Sequence, residues 1–300
     1  MAEHKMHVDE IPTDVALVRR LLAAQFPRWA DLPIERVSSS GTVNALYRLG
    51  DDMVVRLRRT PRWGAGAIDR DVRWLPRLAP LLPVAIPLPL AKGAPGAGYP
   101  WDWGIYTWLR GDHPTVDGAA DADSLAKELA RFLRALHRVG LADGPPTARG
   151  SSLGRFDDAT RAALAALDGV IDTAAATAAW DVALQTPEWS DAPVWVHGDV
   201  MPANLLVRDG SLVGVIDWEL LGLGDPACDL AVAWNLLRTG PREVFRAELG
   251  VDDETWARGR GWALWTGLVA LPYYKETNPA LADNARYRIG EVLGDFGRGS

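Results

Sequence analysis

Cysteine is almost absent from this chain, Cys228 being the sole one. One thiol excludes an intrachain disulfide and a cysteine-based metal cluster. In the apolar setting DPACDLAVAW it is expected to be a small buried side chain rather than a nucleophile. Histidine is scarce too: with five His, none in a ligand-spaced pair, a zinc-type site is poorly supplied. No stretch free of charge approaches the length of a membrane span, and the opening MAEHKMHVDEIPTD lacks the apolar core of a signal peptide. Neither charge sign dominates. The 32 basic and 39 acidic side chains leave a net charge of −7, which argues against nucleic acid or an anionic membrane as partner and is compatible with a cationic ligand or simply with solubility. Internal repeats and low-complexity segments are missing as well. The expectation is a cytoplasmic protein, monomer or homodimer, with no nucleic-acid or membrane partner.

What is present describes an ordinary globular chain of one large or two modest domains: 300 residues, 48% apolar and 24% charged. Its 14 tryptophans are many, and most are expected to pack cores. The most informative stretch is Val194–Glu219, VWVHGDVMPANLLVRDGSLVGVIDWE. An apolar run delivers His197-Gly198-Asp199, Asn204 follows five residues later, and after a turn at Asp209-Gly210 a second apolar run, Leu212–Ile216, delivers Asp217. Two strands joined by that turn bring Asp199, Asn204 and Asp217 to one end of a small sheet. Carboxylate, amide and carboxylate oxygens converging there suit Mg²⁺, a hard cation that prefers oxygen ligands. Phosphoryl transfer asks for that set: one Asp near an attacking hydroxyl, an Asn and an Asp holding metal against phosphates.

Periodicity predicts a helix over 13–26, then strands at Ile34–Ser38, Ala45–Leu49 and Met53–Leu57. The small-residue loop SSSGTVN between the first two places Ser40, Gly41 and Thr42 where backbone N–H groups can cover phosphates; an ordinary hairpin has the same layout. Arg56 stands in an apolar run, either as a phosphate-gripping guanidinium or as part of a solvated basic edge, Arg56-Leu57-Arg58-Arg59. A helix over 66–82 carries Asp71, which is placed to pair with Arg56 or to sit at the surface near a helix start. Trp101–Leu109 is the last strand of this half, and the character of the chain changes at about residue 110, giving domains 1–110 and 111–300. Helices are expected over Asp121–Val139, over 157–183 with a break around Gly169, from about Pro226 with Asp225 as N-cap, and over 241–249, 253–275 and 280–296. His137 is expected to cap or pack.

The motif His197-Gly198-Asp199-Val200-Met201-Pro202-Ala203-Asn204 resembles the HGDxxPxN catalytic loop of the aminoglycoside phosphotransferase family, small-molecule relatives of protein kinases. Ile216-Asp217-Trp218-Glu219, with Gly224-Asp225-Pro226 and Asp229-Leu230-Ala231, resembles that family's metal-binding aspartate segment and the helix after it. SSSGTVNALYRLGDDMVVRLRR is similar, less strongly, to its nucleotide loop and third strand. The resemblance implies an α+β, bilobal protein-kinase-like fold: a small antiparallel-sheet N-terminal lobe of five strands and a larger, mainly helical C-terminal lobe, with ATP or GTP between them. It implies Asp199 as base, Asn204 and Asp217 on Mg²⁺, and His197, Asp225 and Asp229 as support. Arg56 takes the place usually given to lysine, Asp71 that of its glutamate partner, and Tyr106–Leu109, including Trp108, that of the hinge receiving the adenine.

The expected activity is O-phosphorylation of a small hydroxylated molecule, an aminoglycoside or macrolide antibiotic or a primary metabolite of the choline or homoserine kind. A nucleotide-binding module without useful catalysis is the alternative that the Arg56 and Asp71 substitutions suggest; a metal-dependent hydrolase using His197 and the aspartates is poorly supplied. Candidates for acceptor binding are Asp157, Asp158 and Glu219, which favour a polyamine. Trp262, Trp265, Tyr273 and Tyr274 favour a flatter or more apolar ligand, with core packing the alternative for the two tryptophans.

Overall fold

The computed structural model describes residues 10–38, 43–61, 66–118 and 121–298. The chain forms two compact units, residues 1–80 with 85–110 and residues 81–84 with 111–300. Among the described residues no helix is long and apolar enough to cross a membrane.

The first unit opens on α1 (Val15–Gln25), whose N-terminus is capped by Asp14 accepting a hydrogen bond from the Leu17 amide at 2.6 Å. Strands β1 (Ile34–Arg36), β2 (Asn44–Leu49) and β3 (Met53–Arg58) follow, then α2 (Ala67–Leu78), β4 (Pro89–Gly93) and β5 (Trp103–Thr107). They form one antiparallel sheet in the order β1-β2-β3-β5-β4. Strand β4 lies inside a proline- and glycine-rich segment with no strand-like alternation; a sheet edge tolerates Pro89 because one side of the strand makes no ladder bonds. Alternation elsewhere divides the sheet cleanly. Ala45, Tyr47, Leu49, Val55, Leu57, Trp103 and Ile105 share a buried cluster with the apolar stripe of α1. Arg56 and Tyr106 fall on the opposite parity and leave that cluster.

The second unit contains α3 (Ala122–His137), α4 (Asp157–Ala166), α5 (Thr173–Gln185), β6 (Val194–Val196), β7 (Leu205–Arg208), β8 (Ser211–Val215) and β9 (Gly222–Gly224). A 3₁₀ segment, Pro226–Ala231, runs into α6 (Val232–Leu236), and α7 (Thr239–Leu249), α8 (Asp253–Tyr274) and α9 (Pro279–Arg298) complete it. The expected helix over 157–183 is two helices with Gly169 in left-handed geometry (φ 72°) in the segment separating them. The helix expected from Pro226 begins as 3₁₀.

Strands β7 and β8 form the hairpin expected around Asp209-Gly210, both turn residues having positive φ. Strand β6 does not join it. It pairs with β9, a Gly-Leu-Gly strand too short and too glycine-rich to show a pattern. Trp180, Trp195, Trp218, Trp234 and Trp262 are essentially buried within this unit, in keeping with a packing role for most tryptophans.

Candidate functional site

His197-Gly198-Asp199 leaves the end of β6 and loops back to β7. The loop is held from below by Asp229, a fully buried carboxylate. Its Oδ2 accepts from the His197 amide at 3.0 Å and its Oδ1 from the Gly198 amide at 2.8 Å. His137 Nε2 donates to the same carboxylate at 3.0 Å, so that residue links α3 to the loop. Gly198 takes φ 82°, and a Cβ there would stand 3.0 Å from the Leu220 carbonyl oxygen and 3.1 Å from Arg149 Cβ. The positive φ and the close approach of Leu220 and Arg149 are the physical reasons for glycine between His197 and Asp199.

His197 supports the loop from inside. The Asp199 amide donates to its Nδ1 at 3.2 Å and its Nε2 donates to the Ile216 carbonyl at 3.1 Å, which assigns the neutral tautomer protonated on Nε2. Burial lowers its pKa, the charges of Asp229 and Asp199 opposing the shift. The ring packs edge-on to Trp218 with centroids 4.6 Å apart.

Asn204 fixes the Asp199 carboxylate. Its Nδ2 donates to the Asp199 carbonyl at 2.9 Å and to Asp199 Oδ2 at 3.2 Å, which commits the amide nitrogen and leaves the amide oxygen available as an acceptor. The Ile216 amide donates to the Asn204 carbonyl at 2.9 Å, closing the open end of the hairpin so that Asn204 and Asp217 flank it. Asp217 is exposed and has φ 63°, a left-handed turn that brings its carboxylate out just after β8. Among the described residues no group of three or more His, Cys, Asp or Glu side chains is placed to hold a metal ion. An amide oxygen and a carboxylate nevertheless fit Mg²⁺, which takes one or two protein oxygens and completes its octahedron with water and phosphate.

Asp225 caps the 3₁₀ segment through the Ala227 amide at 2.9 Å and pairs with Arg258 Nε at 2.8 Å; both side chains are buried. It therefore holds the chain after β9 against α8. Asp157 is spent on structure, accepting from Arg161 Nε at 2.9 Å and Trp180 Nε1 at 2.8 Å. Asp158 is exposed on the first turn of α4, and Glu219 is half-buried just past Asp217.

The first unit brings three of its predicted residues together. Arg56 Nη1 lies 3.2 Å from Asp71 Oδ2, and the Tyr106 hydroxyl donates to the same oxygen at 2.8 Å. Asp71 is fully buried, so two donors hold a carboxylate that would be costly there alone. A Cβ on Gly104, the cross-strand partner of Arg56, would stand 2.4 Å from the Tyr106 ring; glycine leaves the room that the ring occupies. Tyr106 itself is a buried member of β5. Trp108 lies just beyond β5, its amide donating to the Asp52 carbonyl at 2.7 Å and the Arg48 guanidinium 5.8 Å from its ring. Ser40, Gly41 and Thr42 lie outside the described residues.

Arg149 is the residue that sequence reasoning missed. Its Nη2 stands 3.8 Å from Asp199 Oδ1 and its guanidinium 4.7 Å from the centroid of the half-buried Trp265. It belongs to the loop 140–154, whose composition announces only irregular structure. The Thr147 hydroxyl donates to the Leu220 carbonyl at 2.8 Å and the Asp225 amide to the Gly150 carbonyl at 2.9 Å, anchoring the loop beside β9.

Among solved structures the chain is similar to the GDP and kanamycin complex of APH(2")-IIia, with a TM-score of 0.73 at 19% identity, covering 93% of this chain and 98% of that one. It is also similar to macrolide 2'-phosphotransferase MphH from Brachybacterium faecium, with a TM-score of 0.58 at 23% identity, covering 93% and 98%. These likenesses show the fold, which is α+β and kinase-like. Among curated sequences it is similar to the uncharacterized protein YcbJ of Bacillus subtilis (strain 168), 25% identical over 193 residues, 60% of this chain and 57% of that one. It is 41% identical over 64 residues to an aminoglycoside 3'-phosphotransferase of Escherichia coli, 20% of this chain and 24% of the relative. The chain thus spans about half or less of the length of these curated relatives. Residues 34–262 match the family model described as the phosphotransferase enzyme family, and the chain belongs to that family.

Proposed function

We propose that the protein is a nucleotide- and Mg²⁺-dependent O-phosphotransferase acting on a small hydroxylated molecule. The observation that carries this reading is the immobilised Asp199 carboxylate, fixed by the Asn204 amide at 3.2 Å on a loop that Asp229 holds through two amides. Oδ2 is committed to Asn204, while among the described residues Oδ1 accepts no hydrogen bond and faces Arg149 Nη2 only at 3.8 Å, which leaves it able to accept from an incoming hydroxyl, as a base in an in-line displacement requires. In this reading Asp199 orients the acceptor hydroxyl and takes its proton as the oxygen attacks the terminal phosphorus. Asn204 and Asp217 hold Mg²⁺, which neutralises charge on the phosphate oxygens when bound. Arg56, held in register by Asp71 and Tyr106, grips nucleotide phosphate, and His197 remains neutral and structural.

The nucleotide is ATP or GTP; one structural relative is described as a GDP complex and another as an ADP-bound aminoglycoside phosphotransferase. The names of the relatives make aminoglycosides and macrolides the first acceptors to test, with hydroxylated primary metabolites beside them. The test is incubation of the purified protein with either nucleotide, Mg²⁺ and a library of hydroxylated acceptors, read by mass spectrometry for added phosphate. Asp199→Asn is expected to lower turnover by about 10²–10⁴-fold, the range for loss of a positioned general base, with an unchanged circular dichroism spectrum. Full turnover by that variant would remove Asp199 from its assigned role.

A further inference from the structure

The surroundings of Asp199 carry positive charge that the phosphoryl-transfer reading does not use. Arg149 reaches from loop 140–154 to 3.8 Å from Asp199 Oδ1 and lies over Trp265. Next to Trp265 on α8 is Thr266, whose hydroxyl accepts from Arg288 Nη1 at 2.6 Å. Arg288 Nη2 donates to Asn284 Oδ1 at 2.8 Å, and Asn284 in turn donates to Asn235. Both partners of this guanidinium are therefore neutral. Arg288 is only 7% exposed, its Nε meets no acceptor, and among the described residues no carboxylate stands within ion-pair distance of it. Burial pushes its pKa down to about 10, opposed by the charge of Asp199 and assisted by that of Arg149, so it stays charged at neutral pH.

A buried cation with no carboxylate in direct contact, balanced only at longer range by Asp199, is costly and rarely kept without a use. The neighbouring aromatic groups add to the demand for an acceptor. Trp262 and Trp265 lie on the same helix face with Phe156 packed against both, at 5.4 and 4.3 Å between centroids. Both indole N–H groups are buried without a hydrogen-bond acceptor. Of the carboxylates that could make this an acidic, polyamine-binding wall, Asp157 is engaged by Arg161 and Trp180 and Asp225 by Arg258, while Asp158 is exposed on α4 and Glu219 lies half-buried past Asp217.

We propose that the acceptor is a hydroxylated oxyanion, an alcohol that also bears a carboxylate or phosphate group, whose negative charge is balanced by Arg149 and Arg288. This deepens the phosphotransferase reading and rests on it for the chemistry. The hydroxyl oxygen forms a bond to the terminal phosphorus and its proton passes to Asp199. The bond to the β-phosphate bridging oxygen breaks, and the nucleoside diphosphate leaves with the electron pair. The anionic group of the acceptor stays unreacted and sets its orientation. A polycationic acceptor in the same place meets two guanidinium groups and is disfavoured.

The experiment uses matched panels of small alcohols: sugar acids and hydroxy acids, sugar phosphates, the corresponding neutral polyols, and amines including glucosamine and kanamycin. Binding is measured by calorimetry on the full chain without nucleotide, and phosphate transfer separately with Mg²⁺ and ATP or GTP. The expected result is at least one carboxylate or phosphate bound tenfold or more tightly than its neutral and amino counterparts, with that preference lost in Arg149→Gln and in Arg288→Gln. The two anionic panels tell carboxylate from phosphate. Arg149 is half-buried on a loop rather than deep in a helix pair, so its variant keeps the test open should Arg288→Gln fail to fold. Tightest binding by amines or neutral polyols, no binding by any anion, or an anion preference that survives Arg149→Gln would each overturn the proposal. Transfer that favours amines leaves the phosphotransferase reading standing while this inference falls. Anion binding that is lost in Arg149→Gln, with no transfer to any acceptor, keeps the anion site at Arg149 and Arg288 and removes the phosphotransferase reading.

Discussion

Asp229 illustrates how one side chain sets the geometry of another residue's chemistry. Its two oxygens hold the amides of His197 and Gly198, and it does so from a site without solvent. Truncation leaves those amides buried without acceptors, at about 1–3 kcal/mol each. Asp229→Ala is therefore expected to lower unfolding free energy by about 3 kcal/mol, measured by urea titration; a loss within experimental error would mean that the loop is held by something else. His197 adds a pH signature. Because burial depresses its pKa below the ordinary 6.5, folded and unfolded chains are both neutral at that site above 6.5. As pH falls below that value the unfolded chain binds a proton that the folded one refuses, so stability present at neutral pH is lost on acidification. The urea midpoint of the wild type should fall from about pH 7 to about pH 5.5, and His197→Gln should flatten that part of the profile. Equal slopes in the two proteins would assign the acid sensitivity to other groups.

At the scale of elements, the crossing of β9 over the turn at Thr147–Gly150 positions Arg149. A Cβ on Gly224 would come within 2.4 Å of the Gly150 Cα, so the two backbones touch directly. Gly224→Ala must push them apart, at about 1–3 kcal/mol for overpacking, and is expected to reduce turnover by more than the lost stability explains because Arg149 moves with its turn. Gly210→Ala offers the comparison: at φ 82° with nothing within 4 Å of its Cβ it carries only conformational strain, about 1 kcal/mol. Its turnover should be unchanged. Equal kinetic effects of the two substitutions would refute the role given to the β9 crossing. The same elements show what can be read in sequence. The hairpin and the His197–Asn204 loop were legible because polar groups interrupt apolar runs at fixed intervals and Asp209-Gly210 marks the turn. Strands β4 and β9 were not, since proline and glycine erase alternation and their pairing is decided by partners distant in the chain. Arg149 was invisible for the same reason: its neighbours Asp199 and Trp265 meet it only through tertiary packing.

For the whole molecule the decisive property is linkage between ligand and stability. Anything that binds the folded chain and not the unfolded one raises the unfolding free energy, by about 2.7 kcal/mol at a hundredfold excess over Kd. Nucleotide with Mg²⁺ is thus expected to raise the thermal midpoint, and EDTA to remove the metal-dependent part of the rise. Asp217→Asn isolates the metal's share. Asn tolerates the left-handed backbone at φ 63° as well as Asp does, so the turn after β8 persists while the negative charge is gone. The variant should unfold at the wild-type temperature without ligand and show a nucleotide-dependent rise that Mg²⁺ no longer enlarges. If Mg²⁺ still enlarged it fully, Asp217 would not be a metal ligand, and the oxygen site at the end of the hairpin would reduce to Asn204 and the phosphates. A lowered midpoint in the absence of ligand would carry a different meaning: the carboxylate of Asp217 supports the hairpin as well as the metal, and its two roles would then be separated by the size of each shift.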